Sequence, residues 1–181
     1  IESLRLRRGA GAPRLLASDR QRAIFAMERI VPGVPLERIV PGVPLQHDPD
    51  NDKKAIEALT RLHMQIDADP DASDISRLAD KCRNDLEQLV IRNITIDTGL
   101  DTSFLQRVQS FANEVLSELP STEVLLHGDF WPPNLLESAR GQYVAIDGFP
   151  SWGDPTYDAA RWLVWSEDHL ATTAQSLNSR I

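Results

Sequence analysis

His127, Asp129 and Asn134 stand in the pattern H-x-D-x-x-x-x-N, and Asp147 ends the next apolar run, Tyr143 to Ile146. No other stretch constrains the fold as strongly. Leu135-Leu136 and Tyr143–Ile146 flank a polar turn, Glu137 to Gln142, and this pattern predicts a hairpin. A hairpin returns the chain to its starting point, so it would place Asp147 close to Asn134. The fold must therefore present one loop carrying Asp129 and Asn134, with a second carboxylate brought back beside it.

The remaining composition sets wide bounds. A chain of 181 residues, 41% hydrophobic and 25% charged, can bury a core and make one domain, or one domain and part of another. No apolar run is long enough to span a membrane. The charged N-terminal stretch lacks the apolar segment of a signal peptide. A net charge of −8 counts against a nucleic-acid partner and favours cationic ligands. The single cysteine, Cys82, cannot form an internal disulfide, so a reducing cytoplasm is the expected location. The chain opens on Ile1 inside helix-compatible sequence and closes on Ile181 without a terminal signal, which suggests a piece of a longer protein.

From the N-terminus, Leu4 to Arg8, stopped by Gly9-Ala10-Gly11, reads as the last turns of a helix with a glycine cap. Pro13 to Ser18 and Ala23 to Met27 read as strands around Asp19-Arg20-Gln21. Glu28 to Leu36 is then repeated without change as Glu37 to Leu45, nine identities in tandem. Two copies are too few for a solenoid. A local duplication is the expectation, and its Pro-Gly pairs place the extra copy in a loop.

Three helices follow on the apolar period. The first runs from Asp52 to Ile66, with Ala55, Ile56, Leu59, Leu62 and Ile66 inward. The second is capped by Asp71 or Ser73, with Ile75, Leu78, Ala79, Cys82, Leu86, Leu89 and Val90 on one face. The third runs from about Thr102 to Leu119, with Phe104, Leu105, Val108, Phe111, Ala112, Val115 and Leu119 inward, and Pro120 ends it. Glu123 to Leu126 is a short strand, and Pro155 opens a helix through Tyr157, Ala160, Arg161 and Val164. No glycine-rich phosphate loop of either common form is present.

Taken singly, an Asp or Asn in a loop is a turn former or a cap. The joint pattern matches the catalytic loop of phosphoryl-transfer enzymes. That chemistry needs an acceptor hydroxyl positioned, its proton accepted, and the triphosphate charge neutralised by Mg²⁺. Asp129 fits the base. Mg²⁺ takes oxygen ligands and keeps waters, so the Asp147 carboxylate and the Asn134 amide oxygen fit as its ligands. His127 reads as structural, hydrogen-bonding nearby backbone. His47, His63 and His169 show no ligand-type pairing for zinc. Asp158 can brace the loop through its backbone, and Asp154 can cap the following helix. Trp131, Trp152, Trp162 and Trp165 fit either packing or the lining of a ring-binding pocket.

These residues resemble the aminoglycoside phosphotransferase family, on His127-Gly128-Asp129 with Asn134, Ile146-Asp147, Gly153-Asp154-Pro155 and Tyr157-Asp158. The branch most similar is that of the streptomycin kinases, the aminoglycoside/hydroxyurea antibiotic resistance kinases. A weaker resemblance covers residues 1–45. The resemblance implies an α+β, protein-kinase-like fold. Residues 1–45 would form a partial N-lobe and hinge carrying a remnant of the N-lobe sheet. Residues 46–181 would form a mostly helical C-lobe with the catalytic-loop hairpin. ATP would lie between the lobes, with Glu28, Arg29 and Ile30 presenting hinge backbone to adenine and Glu2 standing as the helix glutamate that pairs with an ATP-binding lysine. The acceptor would be an aminoglycoside-like cation. The chain also departs from the family. Phe130-Trp131-Pro132-Pro133 replaces a more usual Leu-His-Pro-Gly, which stiffens the turn before Asn134. The lysines, Lys53, Lys54 and Lys81, all follow the hinge, so Glu2 is expected to lack a partner within the chain. Two readings remain open: an ATP-dependent phosphotransferase, or a catalytically impaired fragment of one that lacks the glycine-rich loop and the lysine.

Overall fold

The computed structural model describes residues 1–37, 48–64, 66, 68–96, 101–118 and 122–164. Helix α1, Glu2–Arg7, is closed by Arg8 in the left-handed conformation (φ 49), where the sequence suggested a glycine cap. Strands β1, Leu15–Asp19, and β2, Ile24–Met27, pair antiparallel. Asp19 Oδ1 shapes their turn by accepting the amides of Gln21 at 3.0 Å and Arg22 at 3.1 Å. The first copy of the repeat then contains a strand that the sequence did not announce, β3, Pro32–Pro35. It pairs with β5, Leu135–Ser138, which pairs with β6, Tyr143–Ala145, in the order β3-β5-β6. A strand with a proline at each end cannot sit inside a sheet, and β3 takes an edge. Residues 38–45 of the second copy, expected as a loop, lie outside the described residues.

Helix α2, Pro49–Leu62, begins three residues before the expected Asp52 because Asp48 caps it and Pro49 fills its first turn. The Asp48 carboxylate accepts the Asp50 amide at 2.9 Å. Asp48→Ala should cost about 1 kcal/mol in urea unfolding, the usual value of a lost N-cap. Ala55, Ala58 and Leu62 form the buried face, whereas Ile56, expected inward, is 64% exposed.

The second helix, α3, Leu78–Ile96, starts later than expected. Asp69 caps a short 3-10 turn, Pro70–Ala72, and Ser73 holds the Ile75 amide, so neither Asp71 nor Ser73 caps α3. The physical reason lies next door. The Ser76 carbonyl accepts the Trp152 amide at 3.1 Å and Arg77 bridges to the same residue, so the chain stays extended through Arg77. Helix α4, Thr102–Ser117, is capped by Asp101 and lies against α3. Leu105 is buried there, but Phe104, Phe111 and Val115 are 48%, 68% and 44% exposed, against expectation. Their mean direction lies about 70° around the helix from that of Leu105, Val108 and Ala112, the side that the rest of the protein covers. Leu119 and Pro120 lie outside the described residues.

Strand β4, Val124–Leu126, pairs antiparallel with β7, Ser151–Gly153, a second strand missed in the sequence. Helix α5, Thr156–Leu163, follows. The core joins Ala12, Ala55, Ala58, Leu62, Phe130, Leu135, Ala145 and Trp162, so it lies directly beneath the loop between β4 and β5. Arg7 ties α1 to that core. Its buried guanidinium donates to the carbonyls of Leu62 at 2.6 Å and Leu125 at 2.7 Å. Burial pulls its pKa down to about 10, against the opposing charge of Asp158, so it stays protonated at neutral pH. Among the described residues no helix is long and apolar enough to cross a membrane.

Candidate active site

The loop from His127 to Asn134 is built between β4 and β5. Gly128 sits at φ +83, and a Cβ there would meet the Phe149 carbonyl at 2.1 Å. The loop and the segment after Asp147 are thus in backbone contact at a position only glycine can fill. Phe130 is fully buried, its ring near those of His127 and Trp162, and it pins the loop to the core. Pro132–Asn134 then make one 3-10 turn whose fixed proline angles match the helical first turn, so Asn134 is held buried.

Asn134 and Asp129 come together as the spacing implied. The Asn134 Nδ2 donates at 3.0 Å to both the Asp129 carbonyl and Asp129 Oδ2. Because both partners are acceptors, the amide nitrogen must face them, which leaves Asn134 Oδ1 free as an acceptor. The hairpin brings Asp147 back: the Ile146 amide donates to the Asn134 carbonyl at 2.9 Å. Asp147 itself has φ +55, a left-handed conformation that costs a residue with a side chain about 1–2 kcal/mol. With Ile146, His127, Leu4, Phe25 and Met27 it lines a cavity of about 240 Å³.

Glu28, Arg29 and Ile30 continue from Met27 and do not line that cavity themselves. The Glu28 amide donates to the Arg14 carbonyl at 2.8 Å, and its carboxylate lies 3.4 Å from Arg14 Nε. Glu2, expected to lack a partner, is paired twice, with Arg5 at 2.6 Å and Arg20 at 2.9 Å. Arg20 supplies the cation from the β1–β2 turn, a long-range meeting with no sequence signal.

Asp158 does brace the loop. It is fully buried and accepts the His127 amide at 2.7 Å, the Gly128 amide at 2.8 Å and His63 Nε2 at 2.9 Å. Burial alone would push its carboxyl up. The hydrogen bonds from His63 and the two amides outweigh that and hold it below the usual carboxylate range. Asp154 accepts the Thr156 amide and hydroxyl at 2.8 Å, steering the chain into α5 while Pro155 holds the formal cap position.

His127 differs from expectation. Its backbone amide, not its ring, makes the bond that holds the loop. Neither ring nitrogen makes a well-aligned hydrogen bond, although the Ile146 backbone is near enough to favour the protonated form. Burial prevails and lowers the imidazole pKa, so the ring is neutral. Trp152 and Trp162 are buried packing residues, the latter also donating to Asp52 at 2.8 Å, and Trp165 lies outside the described residues.

Two residues at the site were not assigned to it from sequence. His63, which caps the C-terminus of α2, reaches Asp158, and nothing local announced it. Arg161 on α5 pairs with Asp129 Oδ1 at 2.6 Å. Its signal was available: it stands three residues after Asp158, hence on the same helical face.

The family described as aminoglycoside/hydroxyurea antibiotic resistance kinase matches residues 1–181. No curated protein sequence matches the chain. Choline kinase LicA from Streptococcus pneumoniae is similar in structure (TM-score 0.58, 18% identity), with 93% of this chain and 57% of that one covered. Macrolide 2'-phosphotransferase MphH from Brachybacterium faecium gives a TM-score of 0.58 at 16% identity, covering 98% of this chain and 61% of that one. Aminoglycoside phosphotransferase APH(3'')-Id from Streptomyces rimosus, solved with ADP and streptomycin, gives 0.53 at 18% identity, covering 97% and 73%. The α+β kinase-type fold is thereby shown. The chain spans little more than half the length of the choline kinases it resembles.

Proposed function

The chain belongs to the aminoglycoside/hydroxyurea antibiotic resistance kinase family, and from that premise we propose that it transfers the γ-phosphoryl group of ATP to a hydroxyl of an aminoglycoside such as streptomycin. The observation that carries this is the joint placement of Asp129, Asn134 and Asp147. Asp129 orients the acceptor hydroxyl and takes its proton. Asn134, its nitrogen committed to Asp129, would hold Mg²⁺ through its side-chain oxygen, and the Asp147 carboxylate would be the second protein ligand. This donor set of one carboxylate and one amide oxygen suits Mg²⁺, which neutralises triphosphate charge when bound.

In this proposal residues 1–45 are the partial N-lobe and hinge, Glu28, Arg29 and Ile30 face adenine, and residues 46–181 are the C-lobe. The acidic balance of the chain suits a cationic acceptor. A second reading, impaired catalysis, is favoured by Glu2, which is engaged by Arg5 and Arg20.

The test is ADP formation by the 181-residue chain with ATP and streptomycin or another aminoglycoside. Acceptor-dependent ADP release that EDTA stops and Mg²⁺ restores is the expected result. No release with any acceptor would leave the impaired reading standing.

A further inference from the structure

The first two turns of α5 grip the loop at two points. Asp158 takes the amides of His127 and Gly128, and Arg161, one turn on, takes the side chain of Asp129. The Asp129 carboxylate is therefore held by a donor on each oxygen: Asn134 Nδ2 on Oδ2 and Arg161 Nη2 on Oδ1. Each oxygen of a carboxylate has two lone-pair directions, so one on each stays open to an acceptor hydroxyl. Arginine usually meets a carboxylate through two parallel bonds. Here Asn134 holds the second oxygen, and Arg161 makes the single bond of 2.6 Å while its buried Nε finds no partner. The Arg161 side chain is 43% exposed, and Asp129 is the partner that directs its guanidinium.

We propose that Arg161 is a positioning residue for phosphoryl transfer, fixing the orientation of the Asp129 carboxylate toward the acceptor hydroxyl. The proposal rests on the phosphotransferase reading above. A loose transition state gains more from placement than from strong proton abstraction, so the angle of this carboxylate bears directly on the rate. Displacements of about 1 Å at a reacting centre cost up to about 100-fold.

The experiment compares the unsubstituted chain with Arg161→Ala and Arg161→Lys, following ADP release, KM for ATP and the thermal unfolding midpoint. Arg161→Ala should lose about 10- to 100-fold in kcat, with KM for ATP and the midpoint unchanged. Added guanidinium ion should restore part of that kcat, and an equal concentration of potassium should not. Arg161→Lys should fall between the two, since an ammonium keeps the charge without the fork. It also serves should the alanine variant fail to fold. Unchanged kcat in both variants would overturn the role of Arg161 alone. So would a fall in kcat, KM and midpoint together without guanidinium rescue, which marks a merely structural part. No ADP release by the unsubstituted chain would overturn the phosphotransferase reading and this role with it.

Discussion

Asp129→Ala should lower acceptor-dependent ADP release by about 10²- to 10⁴-fold, the usual contribution of a positioned general base, while the protein still folds. The structure separates these two effects. The Asp129 side chain is 22% exposed, and its polar contacts are with the side chains of Asn134 and Arg161. Removing it therefore creates no apolar cavity. Alanine is a cleaner probe than asparagine. Asparagine can offer Arg161 an acceptor but would turn its own NH₂ toward Asn134 Nδ2, setting donor against donor. Steady-state rates and a thermal melt on the same preparation check the prediction. A variant that keeps more than about a tenth of the rate would remove Asp129 from the role of base.

How far the sequence revealed this site depended on whether a residue lay in the one patterned run from His127 to Asp158. Asp129, Asn134 and Asp147 lie within one loop and one hairpin, so spacing and apolar alternation were enough to bring them together. Asp158 was legible because it belongs to the same contiguous run. His63 and Arg20 were not, since they stand at the end of α2 and in the β1–β2 turn, outside that run, and nothing in their local pattern names their partners. The fold divides in the same way. The β5–β6 hairpin and all five α-helices followed from period and end signals, with the caps of α1 and α3 differing in detail. Strands β3 and β7 escaped because both are short and made by pairing with distant segments, and β3 is bounded by prolines that read as loop. Helices α3 and α4 show the limit of period alone. It marks which residues share a face, but not how wide a stripe the rest of the protein will cover, and so it placed Phe111 in a core that does not reach it.

Asp158→Ala should cost about 3–5 kcal/mol of stability, the range for removing one partner of a buried charged network, and should take the activity with it. Three donors lose their acceptor at once: the His127 and Gly128 amides and the His63 ring. The buried Arg7 guanidinium also loses the negative charge nearest to offsetting its burial. Because Gly128 is locked against Phe149, an unbraced loop cannot relax locally without moving Asp129. The pH dependence supplies the check. Burial works to raise the Asp158 carboxyl, but the hydrogen bonds prevail and its folded pKa lies below the unfolded value, about 3.9 for an aspartate. A depressed pKa stabilises the folded state above the unfolded value, and that contribution is lost as pH falls through the folded one. Urea unfolding should therefore show the full gap between the unsubstituted chain and Asp158→Ala at pH 7, narrowing once the pH drops below about 4. A gap of the same size at pH 3 and pH 7 would mean that the ionised carboxylate is not what braces the loop. The lost stability would then reflect the packing of α5 rather than the charge it carries.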